Sequence, residues 1–492
     1  MPVIEVEHLT KRFGTVLAQE LERLRGVDAR VKDALADAAP TCFWLDNPAA
    51  PDPAPPLGEH TECDLAVIGA GLAGLWTALL AKERDPSCDV LVLEAGRVGW
   101  QASGRNGGFC MATITHNPWN GLDKFPDEID VLQGLGHENL DEMRATVEER
   151  GIDCDWRSTG ELAVAIEPYQ ADELREGCER LDQVGEPYEL WDRDRIQAEI
   201  HSPRYEAAVW TKIDCAMVDP ARLSWGVARL AREAGVRFCE GTPVIDLRRS
   251  GGTLALSTPA GAVRARQVVL ATNAFKPLLR RLRLTVVPVY DHALMTEPLS
   301  EAQWRDVGWE SRVGVSDVPN QFHYYRVSED GRILWGGYDA VYHFANGIRP
   351  EFELRTATFA KLATHFYETF PQLEGLRFTH AWAGVIDTST RFCPFYGTAL
   401  GGRVAYALGY TGMGVGATRF AARVCLDLLS GEKTELTELR YAKSKPIPWP
   451  PEPLRWGAIA ATTRSLDHAD RNEGRRNAWL RTLDRLGVGF DS

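Results

Sequence analysis

The chain has no C-x-x-C pair. Its ten cysteines stand singly between Cys42 and Cys425, so zinc ribbons and thioredoxin-like chemistry have no support in the spacing. Positive charge is also in short supply: 55 Lys and Arg face 69 Asp and Glu, for a net charge of -14. That balance speaks against nucleic acid as a partner, which calls for a basic patch, and is compatible with a cationic small molecule. No apolar run suits a bilayer. The longest, Leu65–Ala81, is slightly short of the roughly 20 residues a span needs and holds three glycines. The opening MPVIEVEHLTKRF lacks the apolar centre of a secretory signal, so a cytoplasmic protein with free thiols is expected. His292, His343, His365 and His380 show no metal-ligand spacing and read as structural residues. No internal repeat is visible.

What remains is a chain of 492 residues, 44% hydrophobic and 25% charged, large enough for two lobes. Its first residues resemble the opening strand of an ABC-transporter ATPase. No G-x-x-x-x-G-K-[ST] phosphate loop follows, and Leu429–Lys433 is not that family's signature, so the likeness is a coincidence. A helical stretch is expected over Val16–Ala38, then an extended Pro-rich linker over Asn47–Leu57. Strand Asp64–Ile68, a glycine turn, helix Leu72–Arg84 and strand Val90–Leu93 form a βαβ start. Helix Pro220–Ala234 and strands Val236–Cys239, Thr253–Ser257 and Val268–Ala271 continue the α/β pattern. Residues 284–375 read as antiparallel strands with a helix at Leu354–Phe370. The α/β pattern returns over His380–Leu429, and a charged helix at Asp470–Leu486 closes a Pro/Trp-rich tail.

The strongest motif is Gly69-Ala70-Gly71-Leu72-Ala73-Gly74, a G-x-G-x-x-G between strand and helix. Gly69 permits the tight turn, Gly71 lets the backbone approach a pyrophosphate, and Gly74 lets the helix lie close to the sheet. The phosphates then meet the free N–H groups of a helix N-terminus. Glu94 ends the second strand, 20 residues after Gly74, where a carboxylate accepts hydrogen bonds from ribose hydroxyls and disfavours a 2′-phosphate.

The next segment, Gly96-Arg97-Val98-Gly99-Trp100-Gln101-Ala102-Ser103-Gly104-Arg105-Asn106-Gly107-Gly108, selects flavin over nicotinamide. It resembles the loop of the D-amino-acid oxidase/glycine oxidase superfamily, and within it the amine-oxidising gamma-glutamylputrescine oxidoreductase-like branch. Three further segments match in order: Met217–Leu223, opening a helix at Pro220; Leu270–Ala274, with Val244 near it; and Gly409-Tyr410-Thr411-Gly412-Met413-Gly414-Val415-Gly416 before helix Ala417–Leu429. The resemblance covers roughly residues 60–435. It implies an α/β fold with a discontinuous, glutathione-reductase-like Rossmann domain for FAD (60–117, 210–285 and 376–435). A substrate domain of α+β type, built on an antiparallel sheet, takes 118–209 and 286–375. An arm (1–59) and a tail (436–492) flank the two. It assigns FAD contacts to Gly69, Gly71, Leu72, Ala73, Gly74, Glu94, Ala95, Gly96, Arg97, Ser103, Gly104, Arg105, Asn106, Gly107, Gly108, Val244, Thr272, Asn273, Gly384, Gly409, Gly412, Met413, Gly414 and Val415. The FAD is expected to be non-covalent. Val385, Ile386, Asp387 and Thr388 fill the stretch where related sarcosine oxidases carry a linking cysteine, and Cys393 lies beyond it.

The implied reaction is hydride transfer from the carbon of a small amine to flavin N5, giving an imine that hydrolyses, with oxygen or another acceptor taking the electrons. Pocket candidates on the strands are Tyr325 and Trp335, with His323 and Arg326 as substrate contacts; aromatic faces attract ammonium groups. Alternation puts His323 and Tyr325 on one face of their strand and Tyr324 and Arg326 on the other. Amino-acid-oxidising members carry a carboxylate-pairing arginine in a W-A-G-L-R-P segment. Here Trp382-Ala383-Gly384-Val385-Ile386-Asp387 puts Ile386 in its place, and Asp387 and Tyr410 become candidates for holding a cation. An amine without an α-carboxylate is therefore expected. A D-amino-acid or N-methyl-amino-acid oxidase anchored by Arg326, and a flavin-binding protein without turnover, stand as alternatives. Fast oxidases of the superfamily hold a lysine where Gly337-Tyr338 aligns Trp335, so slow reaction with oxygen is expected.

Overall fold

In the structure, a computed structural model, residue 17 and residues 19–485 are described. The ATPase-like opening therefore lies outside the described residues, as do the start of the expected Val16–Ala38 helix and the last residue of the expected Asp470–Leu486 helix.

Two sheets organise the chain. The first is centred on strand Thr61–Ile68, which pairs in parallel with Val90–Leu93 on one side and Ala262–Leu270 on the other. Arg237–Cys239 extends it beyond Val90–Leu93, and Val404–Leu408 and Phe395–Ala399 extend it beyond Ala262–Leu270. Parallel strands covered on both faces must be apolar throughout. Accordingly Val90–Leu93 is buried at every position. Leu65 and Val67 face a helical layer, whereas Ala66 and Ile68 face the antiparallel strands Asp246–Ser250 and Thr253–Ser257 and the segment near Leu282. The helical layer packs Leu72–Arg84 against Gly414–Ser430 and Pro220–Glu233.

The second sheet runs, in order, Val341–Tyr342, Val287–Thr296, Ile333–Gly337, His323–Val327, Gly314–Asp317, Glu161–Ala165, Ala207–Thr211 and Tyr188–Trp191. Strand Phe378–Thr388 also belongs here, paired along Val287–Thr296, although it opens the segment 376–435 expected in the nucleotide domain. Long antiparallel pairing decided this: Phe378–Thr388 has its complementary partner in Val287–Thr296 and only its end reaches the first sheet's loops. One face of the second sheet packs Tyr325, Trp335 and Val315 against Phe359, Phe366 and Phe370, with Val31 and Leu35 of helix Ala29–Leu35 alongside. The other face carries one row across seven strands, Trp382, Ala293, Gly336, Tyr324, Ser316, Ala163 and Val209, and looks toward the first sheet.

The flanking segments are built into this frame. Gly26 turns the chain at positive φ, so the expected Val16–Ala38 helix is interrupted before Asp28 caps Ala29–Leu35. The Pro-rich linker has no regular structure and is tied down where the Ala54 and Leu57 N–H groups donate to Glu240 and Thr242. The tail holds a helix at Leu454–Asp470 that its prolines concealed, and a shorter one at Ala478–Arg485 in place of Asp470–Leu486.

Trp44 shows how the arm bears on the nucleotide side. Its indole is buried with Met295, Leu334 and Trp382, and its Nε1–H donates to the Asn106 carbonyl at 3.0 Å. Cys42 Sγ lies 3.5 Å from the Gly104 carbonyl. Trp44→Ala is expected to cost about 3–5 kcal/mol, as truncation of a buried tryptophan does. A thermal melt with flavin release followed in parallel should show both transitions falling together.

Candidate active site

Between the two sheets lies a cavity of about 1160 Å³. One end is built by the glycine turn. Strand Thr61–Ile68 ends on Gly69 at positive φ, and helix Leu72–Arg84 begins two residues later with Gly71 as its N-cap. The close approach is absolute at Gly74: a Cβ there would stand 1.9 Å from the Gly69 carbonyl oxygen. At Gly71 it would stand 2.8 Å from Ser103 Oγ, which accepts the Leu72 N–H.

Glu94 sits beside this turn with Ala70 and Gly96 each donating a backbone N–H to it at 2.7 Å. Burial pushes its carboxyl up and these N–H groups pull it back down. A second helix N-terminus enters from the other side. Helix Gly414–Ser430 is capped by Met413 without a side-chain hydrogen bond, so its first N–H groups face the cavity at Gly412–Val415. The two helix ends, the carboxylate and the close backbone approaches fit a flavin dinucleotide: pyrophosphate at Gly71–Ala73, ribose at Glu94, and an anionic ring edge at Met413–Val415.

Of the residues expected to hold FAD, Gly69, Gly71, Leu72, Ala73, Glu94, Ala95, Gly96 and Arg97 line this cavity on the nucleotide side. Ser103, Arg105, Asn106 and Gly107 line it along the loop, and Val244, Thr272, Asn273, Gly384, Gly412, Met413, Gly414 and Val415 complete the wall. Gly74, Gly104, Gly108 and Gly409 do not; each lies behind the wall, where a Cβ would strike a neighbour. Gly104 faces the Gly99 carbonyl and Gly108 the Val218 carbonyl, so their smallness serves the loop's packing. The loop is tightened by Asn106, whose amide donates to Ala102 and Ser103 carbonyls and accepts the Gly108 N–H.

The substrate side departs from expectation. Tyr325 and Trp335 are fully buried, stacked on each other with centroids 4.4 Å apart, on the sheet face turned away from the cavity. His323 shares that face: its Nδ1 meets Asp317 at 2.7 Å and its Nε2 meets His365 at 2.9 Å. The pleat is the reason, since residues two apart share a face and this one was already filled by the helix Thr356–Thr369. With Trp335 away from the cavity, the expectation of slow oxygen reaction loses its basis. Arg326 points to the proper side but is fully buried. It donates to the Val218 carbonyl at 2.5 Å and pairs with Asp155; its Nε has no partner, but Arg326 does not line the cavity and so is not placed to meet a substrate carboxylate.

Asp387 lines the cavity, yet its oxygens accept the Gly409 and Tyr410 N–H groups at 2.5 and 3.1 Å. It clamps the loop ahead of helix Gly414–Ser430, and burial pushes its carboxyl up to about 7. Tyr410 borders the cavity, while its ring belongs to the core of the nucleotide side. Ile386 lines the cavity.

Asp291 was missed, and Tyr324, which stands in the candidate stretch Phe322–Arg326, was not singled out. Both line the cavity, and the Tyr324 hydroxyl donates to Asp291 Oδ2 at 2.5 Å. Burial raises the Asp291 carboxyl to about 6, against the lowering effect of that hydroxyl. A signal existed: Asp291 is the one acid in the strand Val287–Thr296. The cavity is also bordered by Trp449, Ile459, Thr462 and Leu466 of the tail.

Residues 64–428 match the model of the FAD dependent oxidoreductase family (DAO), and the chain belongs to that family. It is 30% identical over 400 residues to gamma-glutamylputrescine oxidoreductase of Escherichia coli (strain K12), covering 80% of this chain and 89% of that one. The probable oxidoreductase OrdL of Haemophilus influenzae is 28% identical over 396 residues, 78% of this chain and 86% of the relative. The solved glycine oxidase from Geobacillus kaustophilus superposes with a TM-score of 0.65 at 20% identity, over 78% of this chain and 99% of the other. Iminodiacetate oxidase from Chelativorans sp. BNC1 superposes with a TM-score of 0.60 at 17% identity, over 77% and 98%. The chain is thus an FAD-dependent oxidoreductase acting on the C–N bond of an amine or amino acid. Among the described residues no helix is long and apolar enough to cross a membrane.

Glu94→Ala removes a charged acceptor and should weaken FAD binding roughly 10- to 100-fold without unfolding the protein. Titration of the apoprotein with FAD, with circular dichroism as the folding control, measures it. Gly71→Val should bind less still.

Proposed function

We propose that this flavoenzyme oxidises an amine that lacks an α-carboxylate, with FAD held non-covalently. The observation that carries the reading is the pair Asp291–Tyr324: an acid stands on the cavity wall, whereas the arginine that would pair a carboxylate is replaced by Ile386 and Arg326 is committed elsewhere. The printed name of the Escherichia coli relative, which acts on an amine, supports it.

FAD, held by Gly71–Ala73, Glu94 and Met413–Val415, would supply the hydride acceptor for the carbon next to nitrogen and a route for the electrons to oxygen or another acceptor. The chain's residues do the rest. Asp291, oriented by the Tyr324 hydroxyl, attracts the substrate ammonium and takes its proton on the carboxylate. The neutral amine that results has a lone pair free to push the hydride out, leaving an iminium ion that water converts to a carbonyl compound and a protonated amine. Ile386 and Gly384 keep the wall beside the reacting carbon apolar and close. No cysteine lines the cavity among the described residues, and Cys393 is fully buried away from it. No thiol is therefore at hand for a flavin link.

A panel scored by anaerobic bleaching of the flavin tests the reading. Primary or N-substituted amines should reduce it faster than glycine, D-alanine or D-proline; rapid reduction by amino acids with amines inert would overturn it. The carboxylate of Asp291 is needed in its ionised form, so kcat/KM should fall as pH drops through about 6. Asp291→Asn should lower kcat/KM roughly 10- to 100-fold and remove that limb of the profile. Acid precipitation of the yellow protein should leave the colour in the supernatant; colour in the pellet would mean a covalent link.

A further inference from the structure

The same wall that carries Tyr324 leads to a second chemical feature. Ser316 is its neighbour on the next strand, and Glu161 lies one strand further, with its Oε1 accepting the Ser316 hydroxyl at 2.7 Å. Two inter-strand steps put Glu161 about 10 Å from the Tyr324 strand. Around it the cavity closes into an acidic chamber lined by Glu161, Asp214 and Glu186.

These carboxyls are only partly satisfied by the protein: Ser316 serves Glu161 and Thr211 serves Asp214, while one oxygen each of Asp214 and Glu186 has no partner. Burial raises Asp214 well above the usual range, and Glu161 and Glu186 add repulsion. Burial raises Glu161 as well. Asp214 Oδ1 has no hydrogen-bond partner. The Glu186 side chain is only 4% exposed; its Oε2 meets His137 at 2.8 Å and Gln133 at 3.3 Å, while its Oε1 has no partner. Among the described residues, no lysine or arginine pairs with any of the three; His137 is the one basic partner. Buried acids in such a state either hold their protons or take up a cation, which lets them ionise. Between the Glu161 strand and the Asp291 end, the cavity face carries the uncharged Ser316 and Ala163. The arrangement is acid, short neutral stretch, acid cluster.

We propose that this chamber is a subsite for the second cationic nitrogen of an α,ω-diamine or polyamine, whose other amino end is oxidised beside Asp291 and Tyr324. The inference rests on the amine-oxidase reading and adds the substrate's far end to it. The three acids recognise charge at a set distance, and the neutral wall accommodates the methylene chain between the two nitrogens.

The test compares α,ω-diaminooctane and spermidine with octylamine, using the holoenzyme and anaerobic flavin bleaching. The diamines should half-saturate the reaction at a concentration roughly 10- to 100-fold below that for octylamine. Asp214→Asn and, separately, Glu186→Gln should collapse that ratio. Both are near-isosteric and remove repulsion, and FAD content reports their folding. Octylamine matching the diamines in the wild type, or both substrates shifting equally in the variants, would overturn the subsite. Should no amine bleach the flavin, the oxidation itself is refuted, and calorimetry still decides the subsite. Binding of diaminooctane that weakens in Asp214→Asn supports it; no binding to the wild type overturns it.

Discussion

Two helices set side by side govern everything else in this molecule. Leu72–Arg84 and Gly414–Ser430 pack against each other under the parallel sheet, and both begin at the cavity. Each is seated by a missing side chain: a Cβ at Gly74 would meet the Gly69 carbonyl, and one at Gly416 would stand 2.0 Å from the Met111 carbonyl. Both helices turn their unpaired N–H groups and dipoles to the cavity, one end at Gly71–Ala73 and the other at Met413–Val415. Such a concentration of positive potential in a partly dry space calls for an anionic partner, and the dinucleotide's diphosphate and the reduced flavin supply that charge in the family to which the chain belongs.

The second sheet answers with the opposite sign. Its cavity face carries Asp291 near the flavin end and Glu161 farther along, with Asp214 and Glu186 opposite. Under the amine reading proposed above, a cationic substrate would be drawn to this wall and an anionic cofactor to the helix ends. The division of charge keeps the two ligands from competing. It also explains why Arg326 stays locked to Val218 and Asp155: a free guanidinium on that face would cancel the attraction that Asp291 provides.

The arm and tail are part of the same construction. Trp44 presses on the loop that Asn106 tightens, and the helix Leu454–Asp470 contributes Ile459, Thr462 and Leu466 to the cavity border. Asp470 accepts N–H groups from Asn320 and Gln321, holding that helix to the loop before the Tyr324 strand. Segments with no family motif thus help to shape a family site.

The nucleotide side was legible in the residues because its chemistry is local. A glycine that must lack a Cβ, a helix that must start there and an acid at the end of the next strand lie within a short stretch, so Gly69–Gly74 and Glu94 declare themselves. So did the absence of a carboxylate-pairing arginine at Ile386. The substrate side was decided by tertiary structure. Strand His323–Val327 alternates whatever its surroundings, but only the packing of Phe366 and Phe370 on one face determined that Tyr325 and Trp335 would be core and Tyr324 would face the cavity. Asp387 looked free to bind a cation until the fold brought Gly409 and Tyr410 N–H groups against it. The acidic chamber joins residues 161, 186 and 214 from separate elements. Charges that meet only through strand pairing and loop closure leave no spacing to read, because the distance between them is set by the sheet and not by the chain.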